Sequence, residues 1–125
     1  MAPRRETLLL LERASAAALD KLAKNLVAVD LTEQMVLSEV FLIASGQNER
    51  QIEAIADNIE MKLAAQNERP VRREKSSRWI LLDYEDLVVH VQTEEIRNYY
   101  MLERLWNDCP RIEISAIENV GGEDK

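Results

Sequence analysis

Hydrophobic and polar residues alternate along the chain in blocks that predict helices and strands in mixed order. Leucines and alanines recur through residues 3–26, from Pro3 to about Leu26, and predict a first helix. A short strand is predicted at residues 26–31. Residues 40–44 are apolar without alternation, which is typical of a strand buried on both faces, so we expect this strand at the centre of a sheet.

The next block predicts a well-capped amphipathic helix. Asn48 and Gln51 have the spacing of a capping box, and the preceding Ser45-Gly46 ends the central strand. The apolar positions then follow the i, i+3, i+4, i+7 rule, with Ile52, Ile55, Ala56, Ile59 and Leu63 on one stripe. The helix is expected to end before Pro70.

The last third predicts a hairpin followed by a helix. An edge strand is expected near Val71, and residues 79–82 and 87–91 predict antiparallel strands, because only a short acidic turn joins them. Thr93 can cap a last helix running to about Asn107. Residues 111–114 predict a terminal strand. Together these elements indicate an α+β fold, with helices packed on a small mixed sheet.

Length and composition predict one folded domain. A chain of 125 residues, 46% hydrophobic and 31% charged, is typical of a globular protein. We expect the domain at residues 1–110 and a partly flexible C-terminal extension at residues 111–125, with a frayed tail from Gly121. No apolar run reaches membrane-spanning length, and neither a signal peptide nor a transit peptide is indicated. A cytoplasmic protein without a membrane partner is therefore expected.

The net charge of −7 argues against a protein that binds mainly nucleic acid, since such proteins carry a basic footprint. An acidic surface instead favours a basic protein partner. The stretch between Arg69 and Arg78 is the strongly basic exception. It is interpreted as a solvated loop, with an auxiliary phosphate contact as the functional alternative.

Aromatic and acidic residues crowd the last third of the chain. The final helix carries a wide apolar arc that includes Ile96, Tyr99, Tyr100 and Trp106, which indicates either a well-buried helix or rings that contact a partner. Trp79 likewise indicates either a ring that covers the core or a ring that anchors a partner. The turn acids Asp83, Glu85 and Asp86 are ordinary turn residues that would also suit partner cations.

Catalytic chemistry is poorly supported. Ser45-Gly46 resembles the start of a nucleotidyltransferase signature, but that reaction also needs paired strand carboxylates to hold Mg²⁺, and none is positioned there. Cys109 and His90 come from different elements and do not predict a nucleophile and its base. One histidine and one cysteine make a zinc site improbable. We expect neither an enzyme nor a cofactor.

Two blocks of the sequence resemble the bacterial ribosomal silencing factors, also called the iojap family. The resemblance covers about residues 26–106. The upstream block comprises residues 43–46, Asn48, residues 50–51 and residues 55–57, and the downstream block comprises residues 79–84, Asp86, residues 88–91, Tyr100, residues 102–103 and residues 105–106.

The resemblance implies a nucleotidyltransferase-like fold without the active-site carboxylates. It implies binding to protein fourteen of the large ribosomal subunit, which would keep the small subunit from joining and repress translation under nutrient limitation. A ribosome assembly factor and a residual nucleotidyltransferase remain as alternatives. A homodimer and a minor contact of the stretch between Arg69 and Arg78 with ribosomal RNA are further expectations.

Motif position assigns the partner contacts. Trp79 and Tyr84 are the expected apolar anchors of one strand-and-turn surface. The full set carried over by the resemblance is Trp79, Asp83, Tyr84, Asp86, His90, Tyr100 and Glu103. The family usually has glycine where this chain has Glu85, so the turn is strained if that position requires a positive φ.

Overall fold

Six strands form one mixed sheet, with helices on both of its faces. The computed structural model describes residues 2–34 and 38–114. The elements in chain order are α1 Arg5–Asp20, β1 Lys24–Asp30, β2 Val40–Gly46, α2 Glu49–Ala64, β3 Arg72–Lys75, β4 Trp79–Asp83, β5 Leu87–Thr93, α3 Glu94–Tyr100, α4 Leu102–Leu105 and β6 Arg111–Ile112. No helix in these ranges is both long enough and apolar enough to cross a membrane.

The strand order is β3-β4-β5-β2-β1-β6. Strands β2 and β5 are parallel and pair from Val40↔Leu87 to Gly46↔Thr93, whereas the other neighbours are antiparallel. The central position predicted for residues 40–44 is confirmed, since β2 is buried along nearly its whole length. The predicted β4–β5 hairpin is also confirmed.

Helices α1 and α2 cover one face and form the main core with the strands. The side chain of Asn48 accepts a hydrogen bond from the Gln51 amide at 2.9 Å, as the capping pattern predicts. The stripe from Ile52 to Leu63 is fully buried. A Cβ at Gly46 would lie 3.0 Å from Ile52 Cγ2, so glycine lets α2 start directly against the end of β2.

The first helix is shorter than predicted. It ends at Asp20, because the amide of Ala23 bonds back to the carbonyl of Ala18 and closes the helix. Leu22 adopts a left-handed conformation with φ of 64° and remains 74% exposed. Leu26, predicted both as the end of the helix and as the start of the strand at residues 26–31, lies in β1, so the strand prediction is confirmed there.

The last helix is not continuous, so its predicted extent to Asn107 is wrong. Thr93 caps α3 as expected, accepting a hydrogen bond from the Ile96 amide at 3.3 Å. The helix then breaks at Met101, whose φ of 50° turns the chain before α4 begins. The terminal strand β6 pairs with β1 but is limited to Arg111–Ile112. The tail predicted from Gly121 lies outside the described residues.

Candidate docking surface

One part of the sheet has no helix over it among the residues that the structure describes. Helices α1 and α2 take the face to which Ile80 and Leu82 point, while α3 packs on β5 and β2 on the other side. Strands β3 and β4 are left uncovered on that second side. We call this area the open face; its residues alternate along the paired strands and are Arg72, Glu74, Trp79, Leu81 and Asp83.

Trp79 is the central ring of the open face. Its indole lies 5.4 Å from the Tyr100 ring and 5.9 Å from the His90 ring, measured between centroids. Tyr100 is 54% exposed and its neighbour Tyr99 is 79% exposed. Beside Trp79 and Leu81 runs a shallow cleft of about 340 Å³. Aromatic side chains that remain this accessible are available to a partner.

His90 supports Trp79 from beneath. The indole Nε1 donates a hydrogen bond to His90 Nδ1 at 3.2 Å, which requires that nitrogen to be unprotonated. His90 is buried on β5, and burial lowers its pKa to about 4. The imidazole is therefore neutral near pH 7 and holds the indole in place.

Tyr84 does not share a surface with Trp79, contrary to the sequence-based expectation of one strand-and-turn face. Residues alternate along β4, so Tyr84 follows Ile80 and Leu82 into the main core and is only 8% exposed. Burial raises the pKa of its phenol. The two rings lie on opposite faces of the sheet and cannot be neighbouring anchors.

Asp86 also points toward α1 rather than the open face. Its carboxylate pairs with the guanidinium of Arg4, just before the first helix. Arg4 also pairs with Glu39, whose carboxylate accepts a hydrogen bond from Thr7 at 2.6 Å. Burial works to raise the pKa of Glu39, but the bonds from Thr7 and Arg4 outweigh it and lower that pKa. Asp86 thus helps fasten α1 to the β4–β5 turn.

The β4–β5 turn is strained at Glu85. Its φ is 70°, so this position does require the left-handed region, which favours glycine. The Glu85 amide donates to Asp83 Oδ1 at 2.8 Å, and its carbonyl accepts from Ser38 Oγ at 2.7 Å. Asp83 is held by this bond and by Arg72, 3.6 Å away, at the rim of the open face.

The broken last helix is pinned by Arg97, which the sequence analysis did not single out. Arg97 is 5% exposed; it donates to Ser45 Oγ at 2.8 Å and to the Glu103 carboxylate at 3.1 Å. The sequence did offer a signal for this burial, because Arg97 lies one turn after the Thr93 cap, in a turn that faces the sheet. Glu103 is thus bound within the chain, and the Ser45 hydroxyl is buried. Cys109 is buried too, packed with Val29 and Leu31.

The stretch between Arg69 and Arg78 is less free than a solvated loop. It contains β3, and most of its cations are ion-paired within the chain. Arg72 pairs with Glu74 and Asp83, Arg73 with Asp57 and Glu60, Lys75 with Glu53, and Arg78 with Glu95. These pairs leave little positive charge there for phosphate.

Comparisons with known proteins agree with this architecture. The family described as "Ribosomal silencing factor during starvation" matches residues 4–125. Two proteins named ribosomal silencing factor RsfS are similar: one from Halalkalibacterium halodurans at 36% identity, covering 86% of this chain and 94% of the relative, and one from Bacillus subtilis at 38%, covering 81% and 87%.

Solved structures are similar as well. A crystal structure from Chromobacterium violaceum has a TM-score of 0.76 at 31% identity and covers 79% of this chain and 84% of its own. Another, from Bacillus halodurans, has a TM-score of 0.73 at 36% identity and covers 89% and 100%. The predicted α+β class, a small mixed sheet flanked by helices, is confirmed. Its likeness to nucleotidyltransferases stays a prediction.

Proposed function

The chain belongs to the family of ribosomal silencing factors that act during starvation, and on that premise we propose that it represses translation by a passive block. The family resemblance drawn from the sequence is thereby confirmed. In the proposed mechanism the protein works in the cytoplasm and binds the large ribosomal subunit through that subunit's protein fourteen. Once bound, it occupies space that the small subunit needs in order to join.

The open face is the observation that carries this proposal. An uncovered sheet surface with Trp79 at its centre and Tyr100 beside it is a surface that can bury rings against a partner. Tryptophan and tyrosine dominate the residues whose loss costs most at protein interfaces. A block of this kind needs only binding and bulk, without chemistry on a substrate.

The residues carried over by the family resemblance then divide into three roles. Trp79 and Tyr100 contact the partner directly, and Asp83 at the rim meets a partner cation. His90 and Glu103 act from beneath, one by holding the indole and the other by holding Arg97. The remaining two, Tyr84 and Asp86, keep the β4–β5 turn in place through the core and through Arg4.

The charge of the chain supports a basic partner. A net charge of −7 draws cationic surfaces in, and salt weakens this attraction between exposed charges. The rate of association with large subunits is therefore expected to fall as salt rises. The homodimer implied by the family resemblance stays a prediction.

Two alternatives to a silencing factor are a residual nucleotidyltransferase and a large-subunit assembly factor. Residual nucleotidyl transfer would need an accessible Ser45, but that hydroxyl is buried and accepts a hydrogen bond from Arg97. A large-subunit assembly factor could use the same open face without silencing translation. Subunit joining with purified ribosomes distinguishes it from a silencing factor.

The first experiment is Trp79→Ala, measured by co-sedimentation with purified large subunits. Loss of a central aromatic anchor is expected to cost about 2–4 kcal/mol, or roughly 30- to 700-fold in Kd. Met61→Ala is the matched control, because Met61 is 60% exposed on α2, on the other side of the sheet. Unchanged binding of the Trp79 variant would refute the open face as the docking surface.

The second readout is joining itself. Purified subunits are mixed with excess protein, and complete ribosomes are measured by light scattering and by sucrose gradients. The unmodified protein and the Met61 variant are expected to suppress joining, and the Trp79 variant is not. If subunits joined at full yield while the unmodified protein was bound, the silencing function would be refuted and the assembly-factor alternative would replace it.

A further inference from the structure

Positive charges in the described part of the chain differ in whether a carboxylate neutralises them. The cations of β3 and Arg78 are ion-paired within the chain. Lys21, Lys24 and Arg50 are exposed and form no ion pair among the residues that the structure describes. Other exposed cations, such as Arg5, Arg13 and Lys62, are also unpaired in the described ranges, so what distinguishes these three is their position.

Lys24 and Arg50 line one groove at a corner of the fold, and Lys21 lines the neighbouring groove, which also contains Asp57. The side chain of Gln51 donates to the carbonyls of Lys21 and Leu22, at 3.2 Å each, and so ties the end of α1 to the start of α2. A groove of about 500 Å³ opens there. Its lining includes Leu22, Lys24, Gln47, Arg50, Gln51 and Ala54, and no carboxylate lines it. We call this corner the basic patch.

Two further features of the basic patch suit an anion. Arg50 lies in the first turn of α2, a helix of 16 residues whose amino end carries a partial positive charge, although Glu49 shares that turn. The positive φ at Leu22 closes α1, and Lys24, the first residue of β1, follows only three residues after Lys21.

Lys24 lies at the same end of the strands as Trp79, and α2, which carries Arg50, packs on the opposite face of the sheet from Trp79. Lys24 pairs with Ser45, Ser45 with Gln92, and Gln92 with Trp79, so one row crosses four strands. At about 4.8 Å per strand, Lys24 and Trp79 are about 14 Å apart across the sheet. A ribosomal protein bound at Trp79 therefore brings its own surroundings within reach of the patch.

We infer that the basic patch binds the phosphate backbone of ribosomal RNA next to the docked protein, an inference that rests on the proposed function. The contact is electrostatic and independent of base sequence, since flexible lysines and an arginine offer charge without a fixed reading geometry. It differs in place from the stretch between Arg69 and Arg78, where every cation except Arg69 is ion-paired within the described chain. Docking thus combines a protein contact at Trp79 with an RNA contact at the basic patch.

The test compares two triple variants with the same change in net charge. The patch variant carries Lys21→Gln, Lys24→Gln and Arg50→Gln. The control variant carries Arg5→Gln, Arg13→Gln and Lys62→Gln, three exposed cations that form no ion pair in the described ranges and lie away from the patch. Each is titrated against whole large subunits and against the isolated ribosomal protein at several salt concentrations, and circular dichroism checks that both fold.

We expect the patch variant to bind large subunits about tenfold or more weakly. Its salt slope is expected to fall by about 2–3, because each removed cation leaves one phosphate without its neutralising partner. Its binding to the isolated ribosomal protein is expected to match that of the unmodified chain. The control variant is expected to behave like the unmodified chain on both targets.

Three results would overturn the inference. If the patch variant and the control variant weakened binding to large subunits equally, the effect would come from net charge and not from the patch. Equal weakening on both targets would make the patch a protein contact. Unchanged binding of the patch variant, in a preparation where Trp79→Ala abolishes binding, would refute the patch and leave the proposed function standing. Conversely, retained binding of Trp79→Ala refutes the proposed function whatever the patch variant does.

Discussion

Lowering the pH from 7 to 5 is expected to destabilise the fold through His90, the chain's only histidine. The imidazole is buried beneath Trp79 and accepts the indole hydrogen bond on Nδ1. Burial lowers its pKa from 6.5 in the unfolded chain to about 4 in the fold. Protonation therefore favours the unfolded state, and the stabilisation present above pH 6.5 is lost as the pH falls toward 4.

The size of the loss follows from these two pKa values. At pH 7 both states are mostly unprotonated, whereas at pH 5 the unfolded histidine is protonated and the folded one is not. The free energy of unfolding should fall by about 2 kcal/mol between these pH values. The lowered pKa of Glu39 acts in the same direction, but only as the pH falls below about 4.5, so it contributes little in this window.

Urea unfolding followed by circular dichroism at pH 7 and pH 5 measures the loss. His90→Gln is the matched variant, because an amide oxygen can accept the Trp79 hydrogen bond but does not titrate; its stability should change little between the two pH values. The imidazole signal of the single histidine gives its pKa directly by NMR. A folded-state titration near 6.5, or equal pH dependence in both proteins, would refute the reasoning.

Two further predictions concern the β4–β5 turn. Glu85→Gly is expected to raise the free energy of unfolding by about 1 kcal/mol, because glycine adopts the observed φ of 70° without steric cost; Glu85→Ala, which keeps a Cβ, should bring no such gain. Tyr84→Ala is expected to lower the free energy of unfolding by about 3 kcal/mol, since the ring fills the main core. Tyr84→Phe should be nearly neutral, because the buried hydroxyl has no hydrogen-bond partner among the described residues. Both are checked by urea unfolding, and a Tyr84→Ala protein of unchanged stability would contradict the core assignment.

Local pattern was enough to predict most elements of the sheet and the family. The apolar run of β2 and the i, i+3, i+4, i+7 stripe of α2 report burial directly, since both follow the period of a single element. The caps at Asn48 and Thr93 are equally local, because the side chain bonds an amide three residues away. The motif blocks that resemble the ribosomal silencing factors are read from sequence alone.

The candidate docking surface depended on contacts that no local pattern contains. Strand alternation over an odd spacing of five residues already separates Trp79 from Tyr84, but which of the two faces is covered depends on where α1 and α2 pack. Arg97 is buried because Ser45 and Glu103 meet it from elsewhere in the chain.

The division between sequence and tertiary structure has one physical origin here. Sequence by itself determined the period and the caps, because these depend on neighbours within about one helical turn, and the family motifs, because these consist of residue identities. Only the tertiary structure decided which cations are neutralised: the ion pair of Arg73 with Glu60 and the unpaired state of Lys24 in the described chain both depend on strands and helices brought together from distant segments. Charge and exposure are properties of that assembled surface, since the Coulomb energy depends on distance in space.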